Sequence, residues 1–327
     1  MNLKLLTWNV NGIRASIKKD FWEKISELNP DFVCLQEIKC QNEDMVAIFA
    51  KKDNSEKEKT DNLFISPLNS EPELVGEISK ELNADDFTPF YHTCRMKKGY
   101  SGTAIFVKKS LLDSNQVQVL EEFKYLGDDK FDFEGRLIGL KLKIGNELLF
   151  LLNGYYPQGG REGRVAYKIE FYELVAKQVQ KWQNDGYKVI LCGDLNTTIG
   201  DIDLARPKEN KKTTGCLPEE RLVLNWLIDS ALFDQSKLLI TNSDFEYLNL
   251  LDIQKLELVD CFRYYFPNEI AAYTYWDQIT RARDRNVGWR IDYWLIDQLL
   301  LKSLKSCRIE SQVLGSDHCP VTVELEF

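Results

Sequence analysis

The chain has 327 residues, of which 44% are hydrophobic and 28% are charged, a composition typical of globular proteins. This length allows one large domain or two modest ones, each with a sizeable core. The net charge is −9, which argues against a protein that coats nucleic acid without specificity. A nucleic-acid enzyme stays open, because a local basic patch can oppose the global charge.

Membrane and secreted proteins are the next classes to consider. No apolar stretch approaches the roughly 20 residues that cross a bilayer, and the N-terminal region lacks the apolar core and cleavage site of a signal peptide. We therefore expect no membrane partner, a monomer, and a cytoplasmic, nucleoid-associated location, or a nuclear one in a eukaryote. The eight cysteines contain no C-x-x-C pair and predict buried reduced thiols. The HTC tripeptide at 92–94 lacks a second pair at zinc spacing and favours a plain strand.

Short apolar runs alternate with helical patterns along the chain. The runs predict strands at residues 3–8, 32–35, 148–152, 189–192, 293–296 and 321–327. Amphipathic patterns predict helices at residues 21–28, 165–182 and 219–231. This mixture favours an α/β class with helices covering sheets. We expect one domain over residues 1–327, with a charged insertion at about 43–86, partly helical near 74–82, and a smaller insertion at about 233–256.

Polar residues lie at or next to the ends of these predicted strands, most of them after a run and some before one. They are Asn9, Asn11, Glu37, Tyr155, Asp194, Asn196, Asp292, Asp317 and His318. Carboxylates and amides suit a hard cation such as Mg²⁺, whereas zinc would require more histidine or cysteine. Asp292 can orient His318, and the pair can then activate water for attack on a phosphodiester. Each residue alone is better explained as an ordinary turn residue, but the recurrence of such residues along the chain favours a site.

Eight motifs occur in a fixed order along the sequence. They are WNVNGIRA (8–15), CLQEIKC (34–40), KGYSG (98–102), EGR (134–136), NGYYPQG (153–159), GDLN (193–196), GWRIDY (288–293) and GSDHCP (315–320). Together they resemble the motifs of exonuclease III-type apurinic/apyrimidinic (AP) endonucleases, within the endonuclease/exonuclease/phosphatase superfamily. The GDLN and SDH elements occur across that superfamily, whereas GWRIDY and KGYSG are more specific to the abasic-site group.

The resemblance implies a four-layer α/β sandwich, in which two packed mixed sheets are flanked by helices. It also implies Mg²⁺-dependent hydrolysis, with Mn²⁺ as a substitute ion, of the phosphodiester 5′ to an abasic site in double-stranded DNA. Activity at 3′ ends, as an exonuclease or 3′-phosphatase, is a further expectation.

The resemblance also implies roles for individual residues. Glu37 is the principal metal ligand, and the other residues expected near the metal are Asn9, Asp194, Asn196, Asp317 and His318. Tyr155 contacts the phosphate, Asp194 is the acid or base, and Asn196 steadies the transition state. His318 with Asp292 activates water or holds the phosphoryl group.

Further residues are expected to bind DNA. By the same resemblance, an apolar pocket for the flipped abasic sugar consists of Tyr275, Trp289 and Ile291. The expected contacts to phosphates or to the substrate backbone are Asn11, Arg14, Lys98, Gln158, Arg161 and Arg290. Two alternatives stay open from sequence: a superfamily hydrolase of RNA, inositol phosphate or phospholipid, and a non-catalytic binding protein with the same fold.

Overall fold

A computed structural model describes residues 1–50, 82–228, 256 and 258–327. The first of its two six-stranded mixed sheets has the order β11-β12-β1-β2-β4-β3. Its strands are β1 (Asn2–Asn9), β2 (Phe32–Gln36), β3 (Phe87–His92), β4 (Thr103–Lys108), β11 (Leu304–Ile309) and β12 (Val321–Glu326). The second sheet has the order β5-β6-β7-β8-β10-β9. Its strands are β5 (Val117–Phe123), β6 (Leu137–Ile144), β7 (Glu147–Tyr155), β8 (Lys188–Asp194), β9 (Val259–Asp260) and β10 (Asp292–Ile296).

The helices lie between these strands in the chain. They are α1 (Ile13–Ile17), α2 (Phe21–Leu28), α3 (Asn42–Phe49), α4 (Lys109–Asp113), α5 (Asp129–Asp132), α6 (Arg164–Asn184), α7 (Pro218–Leu227) and α8 (Cys261–Tyr265). The three predicted helices are confirmed as α2, α6 and α7. Helix α7 starts with proline at its first position, where the missing N–H costs nothing. It ends at Leu227 because Ile228 is extended and bridges Leu258, which is earlier than predicted.

The fold has four layers, because each sheet packs one face against the other sheet and its second face against helices. Alternate residues of a strand point to opposite faces, so Leu5 of β1 joins the core between the sheets and Trp8 joins the core under α2. The inter-sheet core also contains Leu140 of β6 and Ile190 of β8. Helices α6 and α7 cover the outer face of the second sheet, where Val175 packs in the same cluster as the β-strand side chains. The predicted four-layer sandwich is therefore confirmed.

The strand pairing brings the two ends of the chain together. Strand β1 pairs in parallel with β2 and antiparallel with β12, with Thr7 opposite Val321. Between the sheets, Gln36 Nε2 donates to Asn153 Oδ1 at 2.6 Å, and Asn153 Nδ2 donates to the carbonyl of Leu35 at 2.9 Å. These buried hydrogen bonds hold the end of β2 in the first sheet against the end of β7 in the second. Residues near 9, 36 and 317 consequently meet at one end of the neighbouring strands β1, β2 and β12.

Several other predictions concern the periphery. All eight cysteines are free and buried, as predicted. His92 ends strand β3, in agreement with the plain-strand interpretation of HTC. Helix α3 occupies the start of the predicted first insertion, with Met45 buried; residues 51–81, and the second insertion apart from Leu256, lie outside the described residues. Among the described helices, none is both long and apolar enough to cross a membrane.

Candidate active site

Three adjacent strand ends carry the centre of the site. Asp194, the last residue of β8, pairs with Tyr155 at the end of β7 and with Asp292 at the start of β10. Asn9, at the end of β1, faces them from the other sheet. Its Nδ2 donates to Asp194 Oδ2 and to Glu37 Oε1, both at 2.9 Å. The side-chain amide of Asn9 thus links the carboxylates of the two sheets.

Strained backbone turns direct several of these side chains. Asn11, Glu37 and Asn196 have φ angles of 48°, 49° and 52°, in the left-handed region that non-glycine residues rarely adopt. Such conformations cost of order 1–3 kcal/mol each and concentrate at functional sites. Each of the three residues follows a strand within two positions, and its side chain lines the space beyond the strand ends.

This space is a cavity of about 430 Å³. The predicted site residues that line it are Asn11, Glu37, Tyr155, Gln158, Asp194, Asn196, Tyr275, Trp289, Ile291, Asp317 and His318. Asn9 and Asp292 lie directly beneath and are buried. One cavity therefore gathers most of the residues that sequence reasoning selected from across the chain. A larger cavity of about 780 Å³ lies behind the 271–286 segment and contains none of them.

The buried imidazole of His318 lies between two carboxylates. His318 Nδ1 is 2.8 Å from Asp292 Oδ2, and its Nε2 is 3.9 Å from Asp194 Oδ2. Asp292 Oδ2 also accepts a hydrogen bond of 2.6 Å from Thr274 Oγ1, which fixes the carboxylate. Burial opposes the charged form of His318, but the charges of Asp292 and Asp194 outweigh it and raise the histidine pKa to about 10. The imidazolium form is therefore favoured at neutral pH.

Asp194 has a different electrostatic environment from an exposed aspartate. Burial raises the pKa of its carboxyl to about 7, although His318 and the amide of Asn9 act in the opposite direction. Asn196 holds this carboxylate, since its backbone N–H donates to Asp194 Oδ1 at 2.9 Å. Burial also raises the pKa of Tyr155, with a further contribution from Glu37. The Tyr155 hydroxyl consequently stays protonated and can donate to a phosphate oxygen.

The rim beside Glu37 suits a hard cation. Lys39 Nζ lies 2.7 Å from Glu37 Oε2 and also contacts Asn11 Oδ1, which shows that this corner attracts positive charge. Asn11 Nδ2 in turn donates to Asp317 Oδ1 at 3.0 Å. The donors are carboxylate and amide oxygens, which Mg²⁺ prefers. Asp194, Asp292 and His318 form a second group whose ligand atoms lie within 4.8 Å of one another, but His318 and Asp292 already bond each other.

The expected contact of Arg290 with DNA phosphate is wrong. Its side chain is only 1% exposed, and its guanidinium lies 2.8 Å from both Asp203 Oδ1 and Asp260 Oδ2. Arg263 shares Asp203 at 2.6 Å. Trp289 and Arg290 are neighbours in GWRIDY and their side chains point in different directions. Trp289 lines the cavity, whereas Arg290 is buried in the core. The guanidinium supports the segment that carries Trp289.

Of the other predicted phosphate contacts, Asn11 and Gln158 line the cavity and the three basic residues lie outside it. Arg14, Lys98 and Arg161 are exposed, and Arg14 Nη1 forms an ion pair of 2.9 Å with Asp44. Four cavity residues were missed by sequence reasoning: Lys39, Thr213, Thr214 and Asp277. Lys39 lies two positions after Glu37 and has the same left-handed φ of 49°, whereas the threonines follow no strand and carry no recognisable signal.

This fold and this site match a known class. The chain belongs to the Endonuclease/Exonuclease/phosphatase family, whose model matches residues 6–318. Membership in this family makes it a hydrolase, as the motifs predicted. It is 30% identical over 321 residues to the exodeoxyribonuclease of Bacillus subtilis (strain 168), covering 98% of both chains.

Two further relatives extend the comparison. The DNA repair nuclease APEX1 of Danio rerio is 28% identical, over 99% of this chain and 82% of its own. The crystal structure of the AP endonuclease of Leishmania major superimposes with a TM-score of 0.74 at 22% identity, covering 100% of this chain and 88% of that chain. That structural likeness supports the fold, and the resemblance to AP endonucleases inferred from the motifs is confirmed by these relatives.

Proposed function

We propose that this protein is a DNA-repair nuclease that hydrolyses the phosphodiester 5′ to an abasic site in double-stranded DNA. The observation that carries this proposal is an apolar pocket beside the reacting groups. The ring of Tyr275 packs against His318 with centroids 4.8 Å apart, and Trp289 and Ile291 complete the same wall. A sugar without its base can turn out of the helix into such a pocket.

The cavity favours this substrate over the other phosphoesters of the superfamily. Among the described residues that line it, Lys39 is the only lysine or arginine, and it is paired with Glu37. An inositol phosphate with several phosphate groups would require more cations in the cavity. A single phosphodiester flanked by an apolar sugar matches the wall as it stands. The same arrangement would accept a 3′ end, so we include 3′-phosphatase and 3′–5′ exonuclease activity in the proposal.

The chain's own groups have distinct proposed roles. Asp194, with its raised pKa, accepts a proton from the attacking water. His318, held as an imidazolium by Asp292, donates a hydrogen bond to the phosphoryl oxygen and stabilises the negative charge that develops there. Tyr155 and Asn196 donate to the remaining oxygens. We therefore propose that Asp194, and not the pair of His318 and Asp292, activates the water.

A divalent cation is part of the proposal. Glu37, Asp317 and the amide oxygen of Asn11 would hold Mg²⁺, or Mn²⁺ in its place, with Lys39 moving aside. When bound, the ion would neutralise charge on the phosphate. We also retain Asn9, Asp194, Asn196 and His318 as residues around the ion, as the motif resemblance implies. The proposed unit is a single domain and a monomer in the cytoplasm or nucleus.

One exposed side chain supports DNA as the partner. Ile279 is 93% exposed and lies two residues from Asp277, which lines the cavity. Apolar wedges of this kind insert between base steps and kink DNA. We propose that Ile279 enters the duplex beside the abasic nucleotide, while Arg14, Lys98 and Arg161 contact the flanking phosphates.

The experiment is a side-by-side cleavage assay at millimolar Mg²⁺. The substrates are a duplex with one abasic analogue, a nicked duplex with a 3′-phosphate, and an intact duplex. We expect nicking of the abasic duplex to be the fastest reaction and cleavage of the intact duplex to be the slowest. Hydrolysis of RNA or of phospholipid by the same folded protein, with the abasic duplex untouched, would instead support the alternative within the superfamily.

A further inference from the structure

A fully buried ion pair lies behind the wall of the cavity. Lys168 of α6 and Glu220 of α7 both have side chains that are 0% exposed, and Lys168 Nζ lies 2.9 Å from Glu220 Oε1. Removing two charges from water costs several kcal/mol per ion, and apolar residues often serve packing as well or better. Packing of α6 against α7 alone therefore does not explain why a buried ion pair occupies this position.

Each partner of the pair holds a piece of the site. Lys168 Nζ donates to the backbone carbonyl of Asn196 at 2.7 Å. Glu220 accepts a hydrogen bond of 2.6 Å from Thr214 Oγ1, and its other oxygen accepts the backbone N–H groups of Gly215 and Leu217. Asn196 and Thr214 both line the cavity. The ion pair thus connects two separate segments of the same wall.

The wall of the cavity is tightly packed around Thr214. Thr214 Oγ1 accepts the backbone N–H of Gly159 at 3.1 Å, next to Gln158. A Cβ atom at Gly159 would lie 2.4 Å from Thr214 Oγ1 and 3.1 Å from Glu220 Oε1. A Cβ atom at Gly215 would lie 3.2 Å from the ring of Trp289. A shift of Glu220 would therefore move Thr214 and relax the packing beside Trp289.

We propose that Lys168 and Glu220 are positioning residues, which hold Asn196 and the 213–215 segment at the distance that the reacting phosphate requires. They touch no substrate and act through the residues that they bond. This inference rests on the proposed nuclease function, because the rate that Lys168 and Glu220 affect is the rate of that reaction. A displacement of about 1 Å at a reacting group can cost about 10²-fold in rate, so the pair has a measurable effect on turnover.

The principal variant is Lys168→Met, which keeps much of the side-chain length and removes the ammonium. We expect kcat on the abasic duplex to fall by about 10²-fold, while the Kd for the duplex in EDTA stays within about 3-fold. In an Asn196→Ala background the same change should cost less than about 3-fold, because residues that act through one another are non-additive. Glu220→Gln is the second variant, for the case that Lys168→Met does not fold.

The control is Lys108→Met, at the opposite end of the first sheet. Lys108 Nζ pairs with Asp31 at 3.1 Å and donates to Asn29 at 2.8 Å, and none of these three residues lines the cavity. We expect its loss to lower the unfolding temperature and leave kcat unchanged. A merely structural role for Lys168 would give the same pattern as this control.

Amide hydrogen exchange gives a readout that does not depend on turnover. We expect exchange to rise at residues 196–198 and 213–217 in Lys168→Met and in Glu220→Gln, and to stay as in the wild type for Lys108→Met. Unchanged exchange in those segments, or losses of kcat that multiply in the Lys168→Met/Asn196→Ala double variant, would overturn the proposal. A wild type that cleaves none of the DNA substrates would refute the proposed function instead, and the exchange measurement would still decide whether the pair holds the wall.

Discussion

Asp292 and His318 form a buried hydrogen bond of 2.8 Å between the first residue of β10 and the loop before β12. The bond joins the two sheets, because β10 belongs to the second and β12 to the first. It also keeps a positive charge beside Asp194, within the cavity. This pair is the point where fold and proposed chemistry depend on each other most directly.

Asp292→Asn tests the role of the buried carboxylate. The change removes the charge that favours the imidazolium of His318, so kcat on the abasic duplex should fall by roughly 10²–10⁴-fold. The measurement is single-turnover cleavage, with duplex affinity in EDTA as reference. Asp297→Asn is the control, since Asp297 follows the other end of the same strand, where its carboxylate caps a short helix and accepts a hydrogen bond from Gln183 Nε2, away from the cavity. Equal losses for both variants would contradict the assigned role.

Glu37→Gln tests the cation site. One charge fewer in the corner that also contains Asn11 and Asp317 should raise the Mg²⁺ concentration for half-maximal nicking by about 10-fold or more. Calorimetric titration of Mg²⁺ should show the same weakening without DNA. The exposed Glu43→Gln gives the matched control. Unaltered Mg²⁺ dependence in Glu37→Gln would place the ion elsewhere.

Trp289→Ala tests the sugar pocket. Loss of the apolar wall should lower kcat/KM for the abasic duplex by roughly 10–200-fold, the range that one pocket contact supplies. Removal of a 3′-phosphate should be affected less, because that reaction requires no extruded sugar. Tyr264→Ala, at an exposed aromatic outside the cavity, should change neither. A uniform loss on all substrates would argue that Trp289 serves only the packing.

Loss of the charge should lower the stability of the protein at Arg290 and change the binding of DNA at Arg161. Arg290→Met leaves Asp203 and Asp260 with less compensation in the core, so we expect a loss of about 3–5 kcal/mol in the free energy of unfolding. Arg161→Met should leave stability unchanged and reduce the salt dependence of duplex binding by about one unit of slope. Urea unfolding and binding at several salt concentrations measure the two. Weaker DNA binding by a fully stable Arg290→Met would restore the earlier interpretation of this residue.

His92 should make stability sensitive to mild acid. Burial lowers its pKa from the ordinary value of 6.5, and the hydrogen bond to the carbonyl of Leu137 opposes this only partly. The unfolded chain therefore binds a proton first as the pH falls through about 6.5, and stability declines below that pH. His92→Gln should flatten this decline. Because His318 is present in both proteins, the difference between their thermal unfolding curves at about pH 7.5 and 5.5 isolates His92.

Strand ends were the part of the site that the sequence could predict. Apolar runs mark the strands, and the residues just beyond a run lie at the ends of those strands. Glu37 and Asp194 come after their runs and His318 comes before the run of β12, which is why the three were found together. Burial of a charge is invisible to such a pattern. Arg290 was expected to contact DNA from the motif resemblance. Its ion-pair partner Asp203 is 87 positions away, and nothing in the sequence pairs the two.

Contacts made by loops were also beyond prediction. Thr214 enters the cavity through a turn held by Glu220, and the turn depends on a lysine from another helix. Lys39 was within a recognised motif, but its role depends on the left-handed turn at Glu37. These contacts form only when segments that are distant in the sequence pack together, so composition and periodicity cannot predict them.

The proposed enzyme cleaves the strand by direct hydrolysis at the phosphorus atom 5′ to an abasic site. The most direct measurement is cleavage of a single-abasic duplex in H₂¹⁸O with Mg²⁺, followed by mass spectrometry of both product ends. We predict a 3′-hydroxyl on one fragment and, on the other, a 5′-deoxyribose phosphate whose phosphate group carries one ¹⁸O atom. An unsaturated sugar on the 3′ end, or phosphate without the label, would show strand breakage by elimination and would contradict the proposed function.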